Sequence, residues 1–175
     1  MFTKTIVSLA VSTSLLMVGE AISQGIIIGA SVNPTELQGL GGITYLTSIN
    51  DKGEIVGNGS PISGTYRPNR PLYWSPGNQV PVDIFKSGFF SMEWTSYINN
   101  LGQIVGWSGN ADGTWRNLGV IWSNNRQDHL EIGTVDTRIF LGKINNLGSA
   151  IGTFQNPNDN PFTGSTGVYY TPDLG

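Results

Sequence analysis

Short apolar runs alternate with polar turns along this chain, and one run–turn–run returns three times. Ser48-Ile49-Asn50-Asp51-Lys52-Gly53-Glu54-Ile55-Val56-Gly57 recurs as Tyr97-Ile98-Asn99-Asn100-Leu101-Gly102-Gln103-Ile104-Val105-Gly106. It recurs again as Lys143-Ile144-Asn145-Asn146-Leu147-Gly148-Ser149-Ala150-Ile151-Gly152. The turn asparagines Asn50, Asn99 and Asn145 stand 49 and 46 residues apart. A period of that size marks stacked or radially arranged supersecondary units. An asparagine at the start of a turn can bond its own backbone two residues on. Glycine at the fourth position, here Gly53, Gly102 and Gly148, takes positive φ without a Cβ clash. Aliphatic residues on both sides complete the pattern of a hairpin with a bulge. Gly57, Gly106 and Gly152 close each copy of the motif.

A second apolar run follows each hairpin. Pro71-Leu72-Tyr73-Trp74-Ser75 matches Gly119-Val120-Ile121-Trp122-Ser123 and Gly167-Val168-Tyr169-Tyr170-Thr171, so that Trp74, Trp122 and Tyr170 recur every 48 residues. A polar turn and a short strand (80–84, then 129–132) complete the unit. Apolar residues do not recur at helical spacing, and Gly and Asn interrupt every run. Each unit therefore reads as four short antiparallel strands, the signature of a propeller blade. A blade buries its faces only by stacking on neighbours, and Trp74, Trp122 and Tyr170 are the rings expected between sheets. Burying one such ring removes roughly 150–250 Å² from water. The expected fold class is all-β: three propeller-blade-like four-stranded repeats of about 48 residues, forming an incomplete or open β-propeller.

Residues 1–23 read as a signal peptide. Lys4 precedes an apolar stretch at 6–18, and Ala21 and Ser23 supply the small residues before a cleavage point. Residues 24–35 form a lead segment in which Ile26-Ile27-Ile28 resembles a strand. The repeats run over about 36–82, 83–130 and 131–172, and the terminal Asp173-Leu174-Gly175 is expected to be the stub of a fourth. The expected location is outside the cell or in the periplasm, with no membrane span after cleavage. The chain has no Cys, so an exported form rests on packing rather than disulfides. Net charge is −3 without runs of one sign, which argues against a nucleic-acid partner. Charged residues are only 12% and glycines number 24, the balance of a turn-rich β protein.

The motif Ile-Asn-x-x-Gly-x-Ile-Val-Gly, with Leu40-Gly41-Gly42 before it and Ser60 and Ser108 after it, resembles the HAF repeat, a family of extracellular repeat proteins of bacteria. The similarity covers about residues 36–175. Where that family carries His-Ala-Phe before its aromatic, this chain has Arg70-Pro71-Leu72, Leu118-Gly119-Val120 and Thr166-Gly167-Val168. The resemblance implies a secreted, propeller-like repeat protein and carries no activity with it.

Candidate chemistry is sparse. The single histidine, His129, and the absence of Cys leave no zinc site and no nucleophile–histidine pair. Asn156-Pro157-Asn158-Asp159-Asn160 offers oxygen ligands but one carboxylate, and reads as a solvated turn rather than a calcium loop. No catalytic residue, metal or cofactor is expected. The polar segments at 58–70, 107–118 and 153–166 fall at the same place in each unit and would gather on one rim. They carry Tyr66, Arg67, Arg70, Trp107, Trp115, Arg116, Phe154 and Phe162, residue types favoured at contact hot spots. The expected function is a non-catalytic extracellular module that binds a protein or glycan through these loops. The alternatives are a polysaccharide hydrolase using two carboxylates and a truncated remnant of a longer repeat protein. Open sheet edges also invite self-association.

Overall fold

The repeated hairpins form as their turn chemistry requires. In the first, β1 (Thr44–Ile49) pairs with β2 (Ile55–Gly59). In the second, β5 (Met92–Ile98) pairs with β6 (Ile104–Gly109), and in the third, β9 (Arg138–Ile144) pairs with β10 (Ala150–Gln155). The amides of Gly53, Gly102 and Gly148 donate to the carbonyls of Asn50, Asn99 and Asn145, and these glycines adopt φ of 76°, 82° and 83°. β3 (Arg70–Trp74), β7 (Asn117–Trp122) and β11 (Ser165–Tyr170) add a third strand to each unit. β4 (Val82–Asp83) and β8 (His129–Ile132) add a fourth to the first two. The computed structural model describes residues 34–61, 70–85, 92–109, 117–126, 128–134, 136–156 and 164–172, almost all within the compact unit of residues 36–175. The expected signal peptide and the Ile26–Ile28 strand lie outside the described residues.

The architecture is all-β with antiparallel meanders, as the repeat pattern implies. It departs from three separate sheets at one point. A single parallel bridge, Asn117 to Arg138, joins the second and third meanders into one seven-stranded sheet. The cause is the short connection from β8 to β9: the amide of Asn117 donates to the carbonyl of Thr137, which starts β9 beside the start of β7.

The meanders stack through two apolar layers. In the first, Ile98, Ile104, Val120 and Trp122 of the second unit pack on Val56, Tyr73 and Ile84 of the first. In the second, Ile139, Leu141, Ile144 and Ala150 of the third unit pack on Val105 and Ile121 of the second. Trp74 and Trp122 are fully buried, but only Trp122 lies in a layer between units. Tyr170 is only partly buried against the second layer, because β11 forms the outer edge of its sheet.

The first strand of every unit is bulged at the same place. Pairing skips Thr47 in β1, Ser96 in β5 and Gly142 in β9. The bulge drives the carbonyl of Tyr45, Trp94 or Phe140 against Gly57, Gly106 or Gly152 of the neighbouring strand, well inside the distance any Cβ tolerates. The second glycine of the motif is thus a close-approach position rather than a turn residue.

Candidate functional site

The turn asparagines do more than cap their own loops. The side-chain oxygen of Asn50 accepts from the amides of Lys52 and Glu54, that of Asn99 from Leu101 and Gln103, and that of Asn145 from Leu147 and Ser149. Their amide groups reach the next unit. Asn50 Nδ2 donates to the carbonyl of Asn99 at 2.9 Å, and Asn99 Nδ2 donates to that of Asn145 at 2.8 Å. A parallel line of bonds runs one residue on: Asp51 N to Asn100 Oδ1, and Asn100 N to Asn146 Oδ1, both 3.0 Å. One side of the stack is therefore an asparagine ladder, and it is structural.

A second lock crosses the first junction. Arg126, with φ of 60°, places its Nη2 2.5 Å from Glu54 Oε1 and its guanidinium 3.6 Å above the Tyr73 ring. Tyr73 OH also donates to Glu54 at 2.8 Å. Burial pushes the Glu54 carboxyl up, but bonds from Asn50 and Tyr73 and the charges of Arg126 and Lys52 outweigh it, so it titrates below its ordinary value. Burial first, then the bond to Glu54, pushes the Tyr73 phenol up to about 12. These groups engage one another across the junction between the first two units.

The feature that offers a surface is aromatic. Tyr45, Trp94 and Phe140 occupy the same position in β1, β5 and β9, five residues before each turn asparagine. Trp107 on β6 pairs directly across from Trp94. The Trp94 and Trp107 rings stack with centroids 6.2 Å apart and planes 8° from parallel. Trp107 meets Phe140 edge-on at 5.5 Å, and Trp94 meets Tyr45 at 6.3 Å. The four rings form a continuous row across all three units. Tyr45 is 52% exposed, and Trp94, Trp107 and Phe140 each keep part of their surface open. Of the strands that carry the row, β6 leads into an inserted segment, since it ends at Gly109.

Of the residues expected to form a binding rim, Trp107 belongs to this row. Trp107, Phe154 and Arg70 stand on strands rather than in loops. Phe154 packs against the second core layer. Arg70 is held by Asp83 at 2.7 Å and lies over the Phe85 ring at 4.2 Å. Tyr66, Arg67, Trp115, Arg116 and Phe162 lie outside the described residues. Tyr45, Trp94 and Phe140 escape a reading centred on the variable segments. Their common offset from Asn50, Asn99 and Asn145 was the signal that could have found them.

Among the described residues no cluster of three or more His, Cys, Asp or Glu could hold a metal, and no helix is long and apolar enough to cross a membrane. Asp51, Glu54 and Asp83 are each engaged, by Asn100, Arg126 and Arg70 respectively. No protein-family model matches the chain, and neither a curated protein nor a solved structure resembles it significantly.

Proposed function

We propose that this chain is a non-catalytic, exported repeat module of the HAF type, that its units are blades of an open propeller, and that it binds a glycan along the aromatic row. The row of Tyr45, Trp94, Trp107 and Phe140 carries the reading. Rings that retain exposed area offer apolar faces with defined geometry, and the apolar C–H faces of sugar rings match such surfaces. A series of rings at repeat spacing suits an extended chain of similar residues better than one small molecule. The row is uncharged and the chain is net negative, which favours a neutral ligand over a polyanion. Export is supported by Lys4 and the apolar stretch behind it. The blade reading is supported by the four-stranded meanders of the first two units and by the face-to-face layers between successive units.

The test is a titration of tryptophan fluorescence with neutral oligosaccharides of increasing length. Affinity is expected to rise with length up to the span of the row. It is expected to fall by about tenfold or more in Trp94→Ala, with Tyr45→Ser giving a smaller loss at unchanged stability. Unaltered affinity in a folded Trp94→Ala protein would refute the site. Capture of a protein and no glycan by the same residues would replace the ligand class.

A further inference from the structure

The two ends of the stack are unlike, and they match. The residues that pack the inner junctions show what each end lacks. Ile98 and Ile144, facing the preceding unit, are 1% and 4% exposed, whereas their equivalent Ile49 is 63% exposed. Val56 and Val105, facing the following unit, are both fully buried, whereas their equivalent Ile151 is 55% exposed. Tyr169, the counterpart of buried Tyr73 and Ile121, is 65% exposed.

The ladder has the same polarity. At the third turn, Asn145 Nδ2 and the amide of Asn146 have no partner among the described residues, although the matching groups of the first two turns each donate to the next unit. At the first turn, the Asn50 carbonyl accepts only from Gly53, while the Asn99 and Asn145 carbonyls each accept a further bond from the preceding unit. Asp51 there carries a carboxylate, one oxygen of which already accepts from Asn100 Nδ2, where Asn100 and Asn146 offer amide oxygens. Unmatched donors stand at one end, and at the other the Asn50 carbonyl is one bond short of its equivalents.

A third match concerns strands. Ile84, beside β4, belongs to the layer that buries Trp122. The pair Glu36-Leu37 corresponds to Asp83-Ile84 and Glu131-Ile132. In keeping with that, the Trp74 indole donates to the carbonyl of Gln38 at 3.2 Å, and Trp74 is fully buried. Residues 36–38 thus sit where the fourth strand of a preceding unit would sit, yet they belong to no sheet. At the other end, β11 has an unpaired outer edge and no fourth strand among the described residues.

We infer that the face of the third unit takes the front of a second copy of this chain, head to tail. In that contact Ile49 of the second copy meets Ile151 and Tyr169, Asn145 donates to the Asn50 carbonyl, and residues 36–38 add to β11 as its missing strand. It repeats across two molecules the contact that already joins successive units within one. It is a heterologous contact, so copies close into a ring or extend as a chain.

Sedimentation velocity on the purified full chain tests this with Ile49→Asp, Ile151→Asp and Asn145→Asp. All three side chains are exposed, and Asn145→Asp keeps the oxygen that caps its turn. The wild type is expected to sediment as two or more copies, and each variant to associate at least about tenfold more weakly. An equimolar mixture of the Ile49 and Ile151 variants is expected to form a two-copy complex, since each retains the face the other has lost. Circular dichroism confirms that each variant is folded. A wild type that stays monomeric at about 100 µM overturns the proposal. So does a mixture that forms no complex, or an Ile49 variant that associates as the wild type does.

Discussion

Asn50 donates its side-chain amide to the main-chain carbonyl of Asn99, 2.9 Å away, while its side-chain oxygen holds the turn that presents it. One side chain therefore shapes its own hairpin and grips the next. Asn99 repeats the relationship with Asn145 and is buried. Asn99→Ala is expected to cost about 2–4 kcal/mol, because the amides of Leu101 and Gln103 and the carbonyl of Asn145 lose partners. Within one copy, Asn145→Ala removes only the bonds of its own exposed turn and is expected to cost about 1 kcal/mol of that copy's stability. Urea denaturation of the two variants measures the difference, and equal losses would show that the bond between units contributes nothing.

The glycine at the end of the motif makes a second prediction. A Cβ on Gly106 would strike the carbonyl of Trp94, which is main chain and cannot swing aside, whereas one on Gly167 meets nothing within 4 Å. Gly106→Ala is expected to destabilise by about 3 kcal/mol, and Gly167→Ala to stay within about 0.5 kcal/mol of the parent. Thermal melting of both separates close approach from glycine content in general.

Asn58 and Thr95 form a fully buried polar contact between the first two units. Asn58 Nδ2 donates to the Thr95 carbonyl at 3.0 Å, and the Thr95 amide donates to Asn58 Oδ1 at 2.7 Å. The side chain of Asn58 thus imitates a strand against β5. Asn58→Ala strands both main-chain groups in the interior and is expected to cost about 2–4 kcal/mol. Amide exchange at Thr95 should accelerate in that variant if the assignment is right.

Glu54 and Tyr73 give the stack a pH dependence at each extreme. The folded carboxyl titrates below its ordinary value of 4.5, so its stabilisation is complete above that pH and fades as pH falls through the lower folded value. The Tyr73 phenol, pushed up to about 12 from 10.0, stabilises fully below pH 10 and loses that contribution as pH rises toward 12. Urea midpoints against pH should decline at both ends. Glu54→Gln should flatten the acid limb and Tyr73→Phe the alkaline one. An acid limb identical in Glu54→Gln would assign it to other carboxylates.

The repeats were legible in the chain because turn chemistry is local. Asn-x-x-Gly selects its hairpin whatever lies around it, and the spacing of Asn50, Asn99 and Asn145 announced three units before any contact was known. Trp74 and Trp122 were equally legible as core, since apolar strands surround them. The bridge from Asn117 to Arg138 was not, because strand pairing across a loop depends on where the loop places its ends. The aromatic row was half visible. Trp107 stood out by composition, but its stacking on Trp94 and Phe140 depends on the bulges and on the offset between sheets. The sequence alone determined the repeat of the units, their hairpins and the buried rings of Trp74 and Trp122, while Tyr170 stays partly open. Only the tertiary structure decided that the turn asparagines bond from unit to unit, that the rings line up, and that the two ends differ. Those depend on how one sheet sits on the next, which is set by packing between residues nearly fifty positions apart.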